Sequence, residues 1–113
     1  MPMFVIRTAT ISAGGSLSNA IDSSELTLVA VQMPSDWTAA SMTFVAVGYD
    51  NVDRVVTDKA GTEVALTVSA GKYVLVSELG IAGSKQLKVR SGTSSAPVNQ
   101  VQQRDVVLIF ALV

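Results

Sequence analysis

The chain contains no cysteine and no histidine. Without thiols no disulfide can staple the fold, which suits a reducing compartment or assembly inside a cell. The two absences together remove thiol nucleophiles, serine–histidine–aspartate triads and the usual zinc sites. Charge is scarce as well. Asp, Glu, Lys and Arg make up 15% of the 113 residues, for a net charge of -1, where an average domain has roughly a quarter charged. In a small β domain so few charges imply that a subunit partner covers part of the surface. A balance so near zero argues against nucleic acid, whose phosphates need a concentrated basic face. It also argues against electrostatic attachment to an anionic membrane. Aromatic residues are 5%, a poor supply for a lectin-like surface. No apolar run approaches the roughly 18 residues of a membrane span. The start, MPMFVIRTATI, lacks a basic leader and a cleavage site and reads as a strand rather than a signal peptide.

What the chain does have is β chemistry: abundant Val, Ile and Thr in short alternating runs, with turn residues between them. Met3 to Ile11 alternates, with Phe4, Ile6, Thr8 and Thr10 on one side. Leu26 to Met33, Met42 to Val47, Asp53 to Thr57, Glu63 to Ser69, Tyr73 to Ser77, Gln86 to Arg90 and Asp105 to Val113 are further strands. Leu17 to Ile21 is at most a short one. Met42 to Ser69 reads as a three-stranded antiparallel meander. Ser35 or Asp36 is placed to cap one helical turn, and ELGIAGS is a loop with room for another. The expectation is one domain spanning residues 1–113: an all-β antiparallel sandwich or jelly roll of about eight strands, with little or no helix. The last run, VVLIFALV, is apolar on both faces. Such a strand is either central and doubly covered or faces another subunit.

Candidate sites are few. Asp50, Asn51 and Asp53 offer oxygens of the kind calcium takes, but they lack a D-x-D-x-D-G run and read better as a turn. Trp37, Tyr49 and Tyr73 would make a sugar-stacking platform if the fold brought them together; alone, Trp37 reads as a lid on one end of the core. Lys85, Lys88, Arg90 and Arg104 flank the polar loop Ser91 to Gln100 and read as a solvated strand face, with an acidic protein partner still open. The carboxylate pairs Asp22/Glu25 and Glu63/Glu78 have nothing to bring them together, and the Gly-containing segments SAGGS and SGTSS lack the lysine and helix of a phosphate loop. No catalytic, metal or cofactor residue is assigned, and an enzyme is the least expected class.

Four segments occur in an order that resembles small structural proteins of tailed bacteriophages, of the capsid cement or decoration type encoded among head genes. They are ISAGGSLSNAID, VQMPSDWTAASMTFVAV, TDKAGTEVALTV and LKVRSGTSSAPVNQ. The likeness runs over roughly Thr10 to Leu112; GYDNVDRVV departs from it, where such proteins tend to have a longer D-G-T hairpin. The resemblance implies a virion component made in the host cytoplasm. It would bind the outer face of the head as a trimer, with the major capsid protein and sister copies as partners. The polar loop and the N-terminal arm would then carry the contacts through Met3, Phe4, Arg7, Arg90, Ser91, Gly92, Thr93, Pro97 and Asn99, the loop ordering as it docks. Alternatives are a head–tail, tail or head-spike position in the virion, or a carbohydrate- or receptor-binding module built on Trp37, Tyr49 and Tyr73.

Overall fold

Alternation at period two leaves each strand one apolar face, and two sheets that bury those faces against each other satisfy every strand at once. The computed structural model describes residues 3–76 and 81–112. Among them are ten strands and no helix: β1 (Phe4–Ile11), β2 (Ile21–Asp22), β3 (Leu26–Gln32), β4 (Met42–Val47), β5 (Asp53–Val55), β6 (Ala65–Leu66), β7 (Tyr73–Leu75), β8 (Ile81–Ala82), β9 (Gln86–Ser91) and β10 (Arg104–Leu112). They form an antiparallel β-sandwich of two five-stranded sheets. The first has the order β1-β10-β3-β7, with β8 also on β3; the second has β2-β9-β4-β5, with β6 also on β4.

The inward faces supply the core. Ala9, Ile11, Leu28, Val31, Val106, Leu108 and Phe110 come from the first sheet, and Ile21, Met42, Phe44, Leu87 and Val89 from the second. Phe44 and Phe110 are fully buried, each contributing roughly 1.5–3 kcal/mol of transfer free energy. As the alternation requires, Leu87 and Val89 face in while Lys88 and Arg90 sit on the outer face.

Three expectations fail for physical reasons. The meander does not form, because β5 and β6 share one edge of β4 end to end. β5 takes Val45–Val47 and leaves only Met42 and Thr43 for β6. Between them Val56 to Val64 turn back as a small hairpin held by the Thr57–Glu63 bridge. Tyr73–Leu75 leaves that sheet and pairs with β3 in the other. Residues 35–40 bend without a helical turn, held instead by the Thr38 backbone on the Gln100 side chain. Of ELGIAGS, Ile81 and Ala82 pair with Leu28 and Thr27; Glu78 lies outside the described residues.

Candidate interaction surfaces

The loop after β9 is polar in sequence and tightly built in space. Gly92 has φ +89°, and a side chain there would lie 2.6 Å from both Ala96 O and Val98 N, so only glycine lets the chain fold back on itself. Val98 N–H donates to Ser91 O at 2.8 Å, and Thr93 and Ala96 exchange backbone hydrogen bonds. The Thr43 hydroxyl, fully buried, donates to Gly92 O at 2.7 Å. Glu63, from the neighbouring hairpin, accepts from Ser94 N–H at 3.2 Å and from Arg90 at 3.3 Å.

Gln100 anchors the far end of the loop. It is fully buried. Its Oε1 accepts from Thr38 N–H at 2.8 Å and from Arg104 Nε at 3.0 Å. Its Nε2 donates to Thr38 O at 3.0 Å and Ser91 Oγ at 2.8 Å. Its backbone clasps Gly14 and Gly15. The side chain thus reaches three other segments and the backbone a fourth, and the loop is ordered without any partner, which corrects the expectation that docking would order it. Ser91 and Gly92 are buried, and Arg90 is half-buried in its ion pair with Glu63. Only the tip of the loop, including Pro97 and Asn99, is open to a neighbour.

The N-terminal residues named with this loop are not beside it. Phe4 pairs with Ala111 and Ile11 with Arg104, so Met3 and Phe4 lie at the opposite end of the sandwich. At about 3.4 Å per residue the separation along β1 is about 24 Å. The loop and the arm are two surfaces rather than one.

The aromatic trio does not assemble either. Trp37 sits before the start of β4, half-buried against the core, its indole N–H donating to Ala40 O at 3.1 Å. Tyr49 follows the opposite end of β4, a strand about 17 Å long, and is 71% exposed. Tyr73 belongs to the other sheet. The basic residues are largely paired: Lys85 donates to Asn51 at 2.6 Å, and Lys88 meets Asp53 at 2.7 Å. Arg104 turns inward to Gln100. Asp50 accepts two bonds from Arg54, at 3.0 and 2.8 Å, and one from Val52 N–H. Chiefly through the Arg54 guanidinium its carboxyl is held down at about 2. The oxygens of this turn are therefore occupied by the chain's own cations. A shallow depression of about 140 Å³ beside them, lined by Leu17, Val45, Asp53, Arg54, Val55 and Arg90, is bounded by the same charged groups.

The two outer faces differ sharply in charge. The second sheet carries Lys88 and Arg90, each ion-paired with an acid. The first sheet presents a row across four strands made of Ile6, Ile109, Ala30 and Leu75. The next row is Thr8, Val107, Gln32 and Tyr73. Phe4 and Ile6 are each 56% exposed and Leu75 is 73% exposed. Among the described residues Asp105, at one end and accepting from Thr10 at 2.9 Å, is the sole side chain in the rows of this face that is charged at neutral pH. Of the alternatives left open by its sequence, the terminal strand is central in its sheet: Val106, Leu108 and Phe110 fill the core, while Val107, Ile109 and Ala111 lie on the outward side, where Ile109 is itself buried and the other two are half-buried.

This all-β sandwich has a counterpart among solved structures. The SPBc2 prophage-derived protein YomS superimposes with a TM-score of 0.61 over 98% of this chain and 95% of that chain, at 14% sequence identity. At that identity the likeness is one of fold, here a fold also found in a phage-derived protein. No family model and no curated protein matches the sequence.

Proposed function

We propose that this chain is a structural component of a bacteriophage virion. In the finer form of the proposal it is a non-catalytic cement or decoration protein that binds the outer face of the head and bridges capsomers. The observation that carries the reading is the uncharged apolar outer face of the first sheet, set against an ion-paired outer face on the second. A face whose one charge, Asp105, lies at its end disfavours highly charged partners and fits a largely neutral protein surface, as a shell subunit would provide. The phage-derived structural neighbour and the segment resemblance support the same reading. Many small contacts of this kind, repeated over a symmetric shell, give firm attachment through avidity. The trimeric grouping rests on the resemblance alone, and the sheet edges favour a different symmetry, developed below.

Co-sedimentation of the purified protein with heads of the phage encoding it tests the reading. Leu75→Glu, at an exposed position of the apolar face, is expected to abolish binding while Lys88→Ala on the opposite face leaves it intact. Equal binding by both variants would show that the apolar face is not the docking surface.

A further inference from the structure

A β-sandwich has four sheet edges, and a long flat edge with unpaired backbone is a template for another strand. Three of the four edges here are broken into short pieces. β2 has two residues, β5 and β6 have three and two, and β7 and β8 have three and two. The fourth, β1, is eight residues long and pairs with β10 without a register shift. It has no proline, no bulge and no lysine.

The hydrogen-bond pattern shows which of its groups are free. Leu112 N–H donates to Met3 O at 3.0 Å, so Val5, Arg7 and Ala9 bond inward to β10. Phe4, Ile6, Thr8 and Thr10 then point their N–H and C=O groups to the open side. At Thr10 that side is closed, because Asn19 accepts from Thr10 N–H through its side chain at 2.9 Å and donates to Thr10 O at 3.2 Å. Phe4, Ile6 and Thr8 remain. Their sole hydrogen-bond partner on that side among the described residues is the Arg7 guanidinium, 3.4 Å from Ile6 O.

We propose that the open edge Phe4–Thr8 pairs antiparallel with the same edge of a second copy, about a twofold axis through Ile6. The free stretch is three outward-facing residues, symmetric about Ile6. In that register each Ile6 lies opposite the second copy's Ile6, and each Phe4 lies opposite Thr8, a large side chain against a small one. About six backbone hydrogen bonds close between the outward N–H and C=O groups of Phe4, Ile6 and Thr8, with the Arg7 guanidinium giving up Ile6 O. Phe4 and Ile6, more than half exposed in the monomer, become covered, and the two first sheets join into one continuous sheet with a single apolar outer face. Such an isologous contact is self-limiting, since each copy has one such edge. Arg7 lies one residue from the axis on the other face, beside the second copy's Val5, so added salt strengthens the contact by screening two like charges.

The test uses the full chain. Sedimentation equilibrium over a concentration series is expected to give twice the 11.8 kDa chain mass. Ile6→Lys and Thr8→Pro, both at exposed positions whose N–H is free, are expected to remain monomeric with unchanged circular dichroism. Register is read from single cysteines, since the chain has none of its own. Ile6→Cys thiols would stand about 5.5 Å apart between Cα atoms and be joined by a short bifunctional thiol reagent. Phe4→Cys thiols, about 14 Å apart along the strands, would not. A wild-type monomer at every concentration, an oligomer indifferent to both edge variants, or equal cross-linking at positions 4 and 6 overturns the pairing. So does a monomer whose head binding is lost in Thr8→Pro, which removes an edge N–H without adding charge to the apolar face and would therefore assign the edge to a strand of the shell protein. Leu75→Glu lies off this edge, so failure of the head-binding reading and failure of the twofold pairing are separately visible.

Discussion

Replacing Gln100 by leucine removes the side-chain amide that joins Thr38, Ser91 and Arg104 while nearly keeping its volume. Four hydrogen bonds are lost. Two involve buried partners, Ser91 Oγ and Arg104 Nε; the other two involve the Thr38 backbone, which is partly buried and open to water. A buried group left unpaired costs roughly 1–3 kcal/mol, and a partly solvated one about 0.5–1 kcal/mol. Toward the low end of those ranges the sum is about 4 kcal/mol, and the added apolar burial returns about 1 kcal/mol. The expected net loss is therefore about 3 kcal/mol. With an unfolding entropy of about 2.1 cal/mol/K per residue, that lowers the midpoint of a chain this size by about 12 °C. Differential scanning calorimetry with parallel urea titrations measures it directly. Gln100→Glu is expected to fall between the two, because it keeps both bonds to Oε1 and pairs Arg104 with a carboxylate. A Gln100→Leu loss under about 1 kcal/mol, or a glutamate variant worse than the leucine, would refute the view that this amide anchors the loop.

Gly92→Ala should cost about 3 kcal/mol, since the new methyl meets backbone atoms at 2.6 Å and φ stays at +89°; loss of amide protection at Val98 in hydrogen exchange would localise the damage. Glu25 is held at φ 62° in the turn before β3, so Glu25→Gly should stabilise by about 0.5–1 kcal/mol in urea titration, relief of left-handed strain outweighing the more flexible unfolded chain. Asp50 is depressed to about 2 by Arg54. Its contribution is whole above its unfolded value of about 3.9 and is lost as pH falls through about 2. The difference in midpoint between wild type and Asp50→Asn, followed from pH 5 to 2, should therefore shrink on acidification, and a difference that stays constant would count against the ion pair.

Much of this architecture is readable from alternation. Met42–Val47 and Gln86–Arg90 are strands in the expected places because both have a clean inward apolar set and turn residues at each end. Alternation fails at Glu63 to Ser69, where a perfect pattern yields a strand of two residues and one isolated bridge. A strand needs a free edge as well as a pattern, and β5 already holds half of the edge of β4. The sheet change at Tyr73 is invisible for the same reason: local sequence does not record which edge is open. The loop after β9 was misleading because composition counts polar groups without saying whether they are satisfied, and one buried glutamine satisfies enough of them to fix the loop. On the candidate surface, the even-numbered side of β1 and the double-sided apolar character of β10 were both in the sequence. Their meeting on one uncharged face depends on the register between two strands about a hundred residues apart in sequence, and no local pattern encodes it.

The most direct test of the virion assignment is quantitative mass spectrometry of gradient-purified particles of the phage that encodes this chain. The expected result is that the protein is present in the intact virion in a fixed, high ratio to the shell protein and stays with the heads after tails are removed. Its absence from purified particles, despite production in infected cells, would contradict the assignment.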